Sequence, residues 1–106
     1  MSGRSIMDIE TEIVSVLKNI YDPEIPVNIY DLGLIYEIDV DDDKNVEVTM
    51  TLTAPNCPVA DSLLDDIHRQ LNSIGGINKA SINLTFDPPW DQSMLSEEAK
   101  LELGLL

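Results

Sequence analysis

The stretch "VEVTMTLTAPNCPVADSLLDDIHRQLNSIGGINKASINLTF", residues 46–86, changes its hydrophobic period twice and so decides the fold. Val46, Val48, Met50 and Leu52 alternate with Glu47, Thr49, Thr51 and Thr53, the period-two pattern of a strand with one buried face. From residue 58 the apolar positions fall at Ala60, Leu63, Leu64, Ile67, Leu71 and Ile74. That spacing predicts a helix over 58–74, with Gly75 and Gly76 supplying a left-handed stop. Ala80, Ile82, Leu84 and Phe86 then alternate with Ser81, Asn83 and Thr85, which predicts another strand.

Upstream, Leu34, Tyr36, Ile38 and Val40 alternate with Ile35, Glu37 and Asp39, and "DDDKN" at 41–45 turns this strand back into the one at 46 as a hairpin. The charged turn has some likeness to a calcium loop, but it lacks the mid-loop glycine and the closing glutamate, so it reads as a solvated hairpin turn. Ile9, Ile13, Val16, Leu17 and Ile20 predict a first helix over 8–20, with Asp8, Glu10 and Glu12 near its positive end. Pro23 disfavours helical geometry at Asp22 and ends it. Between them lies "DPEIPVNIYDLG" at 22–33, a connection long enough in so small a domain to suggest a functional loop. After the third strand, "DPPWD" at 87–91 breaks the pattern, Trp90 is expected to seal the C-terminal segment onto the body, and Ser96 caps a short helix to about Leu103.

The order α-β-β-α-β-α, with every strand apolar on one face, predicts an α/β (α+β) two-layer sandwich: helices on one side of a small three-stranded sheet, mixed or antiparallel. The other face, with Thr49, Thr51, Thr53, Ser81, Asn83 and Thr85, is either wet or covered by another subunit. The 106 residues form one domain, 1–106. A formal charge of −14, with six scattered basic residues, argues against nucleic-acid binding. No apolar run is long enough to span a membrane and the first ten residues hold no signal-peptide core, so the expected setting is the cytoplasm, where a single cysteine stays reduced.

That cysteine, Cys57, lies where a strand pattern gives way to a helix pattern, and Pro58 suits the first helical turn, which puts Cys57 at the N-cap. Amides and partial positive charge there favour a thiolate, the form that attacks electrophiles or binds soft metals. Asp61, Asp65 and Asp66 oppose that effect. A buried, inert thiol is the plain alternative. His68 lies about 16 Å further along the same helix, too far for a Cys-His dyad within one chain. Asp22, Glu24 and Asp31 are candidate carboxylates and Thr53 a candidate hydroxyl, provided the loop folds toward the end of the second strand. Turn chemistry and strand propensity are their plain alternatives.

Three segments carry a resemblance: "DPEIPVNIYDLGLIYEI" at 22–38, "TLTAPNCP" at 51–58 and "FDPPWDQSMLSEEAKLELG" at 86–104. Together they resemble the SufT and PaaD family of metal-sulfur cluster assembly proteins. The resemblance implies a domain of the iron-sulfur cluster assembly type acting in cluster maturation or delivery. The family's motif residues match at Asp22, Glu24, Asp31, Thr53 and Cys57. Members tied to phenylacetate breakdown have a cysteine-containing C-terminal extension, and longer SufT-type members extra N-terminal sequence; the chain shows neither and reads as the minimal domain.

One thiolate cannot hold a cluster that usually needs four protein ligands. The expectation is therefore a non-enzymatic accessory or carrier protein in which Cys57 is a transient ligand for iron or an iron-sulfur cluster. Its expected partners are an assembly scaffold and client apoproteins, with a homodimer as a means of presenting two thiolates. The competing readings are a thiol-dependent enzyme, with Cys57 as nucleophile and Asp22 or Glu24 as acid-base, and a scaffold in which Cys57 is structural.

Overall fold

Ile9, Ile13 and Leu17 recur every four residues and are all fully buried, so the first segment is a helix with one face committed to a core. The computed structural model describes residues 5–22, 25–53 and 60–104. Helix α1 spans Ile6–Leu17, starting two residues before the periodicity predicts, because the Ser5 hydroxyl caps it by accepting from the Asp8 amide at 3.1 Å. It ends sooner as well: the Asn19 and Ile20 amides switch to carbonyls three residues back, tightening the chain into a turn.

Strands β1 (Ile35–Val40) and β2 (Asn45–Met50) form the hairpin. At its turn the Asp41 carboxylate accepts from the amides of Asp43 and Asn45, both at 2.9 Å, and Lys44 takes a left-handed φ of 65°. The acidic turn is thus held by its own backbone. Helix α2 (Ala60–Asn72) then carries the chain back so that β3 (Lys79–Leu84) lies parallel to β2, with Leu84 level with Met50. A parallel pair needs such a crossover, and the sheet, in order β1-β2-β3, is therefore the mixed one of the two expected alternatives.

Both long helices pack on one face, α1 against β1, α2 against β3 and the two against each other. Val46, Val48, Met50 and Ala80 from the sheet meet Ile9, Ile13, Leu17, Leu63, Ile67 and Leu71 from the helices. Each large aliphatic chain buried this way contributes about 1.5–3 kcal/mol. Past Asn72 the chain turns through Gly76 at φ 92°, and the Asn72 side chain both accepts from the Ala80 amide and donates to its carbonyl, tying the helix end to β3.

Three details depart from simple alternation. Strands β2 and β3 stop at Met50 and Leu84, each followed by one last rung: Thr51 N to Leu34 O and Thr85 N to Met50 O, both at 2.9 Å. On the face away from the helices Glu37, Asp39, Glu47, Ser81 and Asn83 are exposed as the alternation requires. Thr51 is not. It is fully buried beside the junction of the loop with β1, and its Oγ1 has no hydrogen-bond partner among the described residues. Finally, Ile35 faces Met50 and Glu37 faces Thr49, so Tyr36 is the extra residue of a bulge. Its phenol reaches the C-terminal segment, donating to Pro88 O at 2.7 Å. That segment makes a 3-10 turn at Gln92–Met94 and helix α3 (Glu97–Glu102), whose N-cap Ser96 accepts from Ala99 N.

Candidate functional site

The loop before β1 is apolar underneath. Val27, Ile29, Leu32 and Leu34 are fully buried, and this alternation of anchors with polar residues fixes the loop's path. Ile29 N donates to Ile20 O at 2.8 Å, Asp22 N to Val27 O at 3.2 Å, and Leu34 N to Ile29 O at 3.3 Å. The Lys18 ammonium sits 5.3 Å from the centre of the Tyr30 ring and adds a cation-π contact to the end of α1.

Two of the predicted carboxylates shape this loop. Asp22 is buried, and its Oδ1 accepts from the Ile25 amide at 3.0 Å. Asp31 is paired with Asn28: Asn28 Nδ2 donates to Asp31 Oδ2 and the Asp31 amide donates to Asn28 Oδ1, each at 2.8 Å. Asn28 is not among the residues expected from the sequence to form the site, although a side-chain oxygen accepting from the amide three residues on is the spacing of a capping Asn. Thr53 is half-buried in the bend beyond β2. Glu24 and Cys57, with the predicted N-cap of α2, lie outside the described residues.

What the fold brings together is the end of the loop and the end of β2. The Leu34–Thr51 hydrogen bond ties them, with Asp31 three residues before it on one strand of chain and Thr53 two residues after it on the other. This is also the carboxyl end of the parallel pair β2 and β3, where the chain leaves for α2.

The C-terminal segment closes over the loop from outside. Trp90 Nε1 donates to Leu32 O at 2.7 Å and Ser96 N to Asp31 O at 2.8 Å. Gly33 sits at φ 88°, and a Cβ there would overlap the Met94 carbonyl group, whose carbon would be 2.9 Å away. Only glycine allows this approach. Trp90 thus seals the C-terminal segment as expected, and it does so on the turn that carries Asp31.

Among the described residues three carboxylates are lowered from the usual aspartate value, each by a local donor: Asp41 by Asn45, Asp66 by Arg69 and Gln70, Asp91 by Ser93. His68 is exposed on α2, next to Asn72. Among the described residues no three His, Cys, Asp or Glu side chains gather to hold a metal ion, and no helix is long and apolar enough to cross a membrane.

Comparison with known proteins bears on the family and the fold. The family model described as iron-sulfur cluster assembly protein matches residues 10–84. An Fe-S protein maturation auxiliary factor from Porphyromonas gingivalis is 55% identical over 104 residues, covering 98% of this chain and 99% of the relative. The Fe-S protein maturation auxiliary factor SufT from Staphylococcus aureus is 37% identical, over 81% of this chain and 98% of its own. The crystal structure of a domain of unknown function from Bacillus anthracis superposes with a TM-score of 0.85 at 32% identity, covering 94% of this chain and 95% of that one. The chain belongs to the SufT- and PaaD-like family of iron-sulfur cluster assembly proteins.

Proposed function

We propose that the chain is an accessory or carrier factor in iron-sulfur cluster assembly or delivery to apoproteins, with Cys57 as a transient ligand for iron or the cluster. The cluster is cargo in this reading. The observation that carries it is the β2-α2-β3 crossover: the T-x-x-x-C-P segment begins at the carboxyl end of the parallel pair, and the Leu34–Thr51 bond brings the Asp31 turn to the same end. Family membership and relatives named as maturation factors support the role.

The chemistry follows from ligand number. A resting cluster is usually held by four protein ligands, and one thiolate leaves most of its coordination to the donor and the acceptor. Such a ligand binds a soft metal and lets it go, which transfer requires. Asp22 and Asp31 each spend a carboxylate oxygen on the loop's own donors, so their first contribution is to keep its shape. That favours the carrier over a thiol enzyme in which Asp22 shuttles protons.

Anaerobic reconstitution with iron and sulfide, followed by transfer to an apo-acceptor, tests the role. Thiolate-to-iron charge-transfer absorption that passes to the acceptor supports it; a chain that never takes up iron and leaves acceptor maturation unchanged refutes it. Light scattering of the same samples separates a cluster bridged between two copies, which needs a dimer, from handover by a monomer of 11.8 kDa.

A further inference from the structure

The two edges of the sheet are finished differently. At β3 the Asn72 side chain occupies the outward amide and carbonyl of Ala80. At β1 nothing comparable occurs. The Asp41 amide bonds Asn45 O, so in the alternation of an antiparallel ladder Asp39 and Glu37 face β2 while the amides and carbonyls of Ile38 and Val40 face away from it. Among the described residues no hydrogen bond reaches those outward groups. Beside them is an open depression of about 160 Å³ lined by Tyr30, Ile35, Tyr36, Glu37 and Ile38.

The same edge is negative. Glu37 and Asp39 are exposed on β1, Asp39 stands directly opposite the exposed Glu47 of β2, and the hairpin tip adds Asp41, Asp42 and Asp43. Glu37, Asp39 and Glu47 have no ion pair or hydrogen bond among the described residues. Like charges directly opposite on a sheet cost stability. Charge on an edge strand blocks pairing with a second copy, which would bring its own carboxylates against these. It does not block a strand of opposite charge.

We propose that the β1 edge is a docking site for an extended segment of a partner protein in which basic and apolar residues alternate. The segment adds a fourth strand next to β1, bonding the amides and carbonyls of Ile38 and Val40. Its basic residues lie over Glu37 and Asp39, and its apolar residues turn to the other face, beside Ile38 and Val40. The inference is independent of Cys57.

The probe is a capped peptide of alternating arginine and valine, added at physiological salt to the isotopically labelled chain, with amide exchange followed by NMR. The Ile38 and Val40 amides gain at least about tenfold protection while Ile82 keeps its rate, and a peptide N-methylated at alternate residues, which has the same charge but lacks the donors, gives no protection. The double charge reversal Glu37→Lys with Asp39→Lys, at two exposed positions, weakens binding at least about tenfold and leaves the fold intact. Equal effects of the two peptides, or shifts spread over α1, α3 and the hairpin tip alike, mean general charge attraction and overturn the proposal. So does concentration-dependent protection of Ile38 and Val40 without peptide, which would make a second copy the occupant.

Discussion

Replacing Gly33 with alanine should detach the C-terminal segment from the loop it covers. The cost has two parts. At φ 88° the new Cβ carries the left-handed penalty of about 1–2 kcal/mol. It also overlaps the Met94 carbonyl group, which is backbone and can yield only if the segment moves. Moving it breaks the Trp90–Leu32 and Ser96–Asp31 hydrogen bonds, each worth about 1 kcal/mol. The sum is about 3–4 kcal/mol, which for a domain of this size lowers the melting temperature by roughly 15 °C. Trp90 is the only tryptophan, so its fluorescence reads the detachment directly while calorimetry reads the loss of stability. Gly75→Ala is the control: nothing lies within 4 Å of its Cβ, and it should melt close to the parent protein. If Gly33→Ala melts within about a degree of the parent with unchanged fluorescence, the account of the covering segment is wrong.

Other consequences are as direct. Thr51→Val removes a buried hydroxyl that has no partner among the described residues and keeps the shape, so it should stabilise by about 1 kcal/mol in urea denaturation; a loss of stability would show that the hydroxyl is engaged. Trp90→Phe should cost about 1–2 kcal/mol, because the Leu32 carbonyl loses its donor. Asp41 is held below the ordinary aspartate value of about 3.9, chiefly by its hydrogen bonds from Asn45, so its contribution to stability is complete above that value and is lost as the pH falls through the lowered one. Asp41→Asn should flatten that acid limb of the pH-stability curve, and NMR titration of the parent protein should place the Asp41 carboxyl below the ordinary aspartate value.

The elements were legible where burial imposes a period. Ile9, Ile13 and Leu17 mark α1 and Leu63, Ile67 and Leu71 mark α2, because each must face the same sheet. Ends were less legible. Ser5 caps α1 through a hydroxyl that hydrophobic spacing cannot sense, and β2 was read through to Thr53 because alternation continues after strand pairing has ended at Met50. Whether the sheet was mixed or antiparallel depended on where α2 leaves the chain, a long-range outcome without a local signature. Parity alone places Thr51 on the open face, but it sits past the last full rung, where the loop's return buries it. At the candidate site Asp22 and Asp31 were legible from turn chemistry. Their pairing with Ile25 and Asn28 is local, three residues along the chain, whereas the covering of the turn by Trp90 and Ser96 arises from contacts between distant segments.

The central claim is that Cys57 is the ligand that engages iron or cluster during handover, and Cys57→Ser tests it most directly. Serine is nearly isosteric and suits the N-cap position that the sequence predicts for residue 57, so the fold should be kept. Its oxygen is a poor ligand for the soft metal chemistry that a thiolate serves. Melting temperature and anaerobic cluster transfer to an apo-acceptor are measured on the same preparation. The account predicts a melting temperature within about 2 °C of the parent protein and transfer reduced to the uncatalysed background. A variant that melts and transfers like the parent would contradict it.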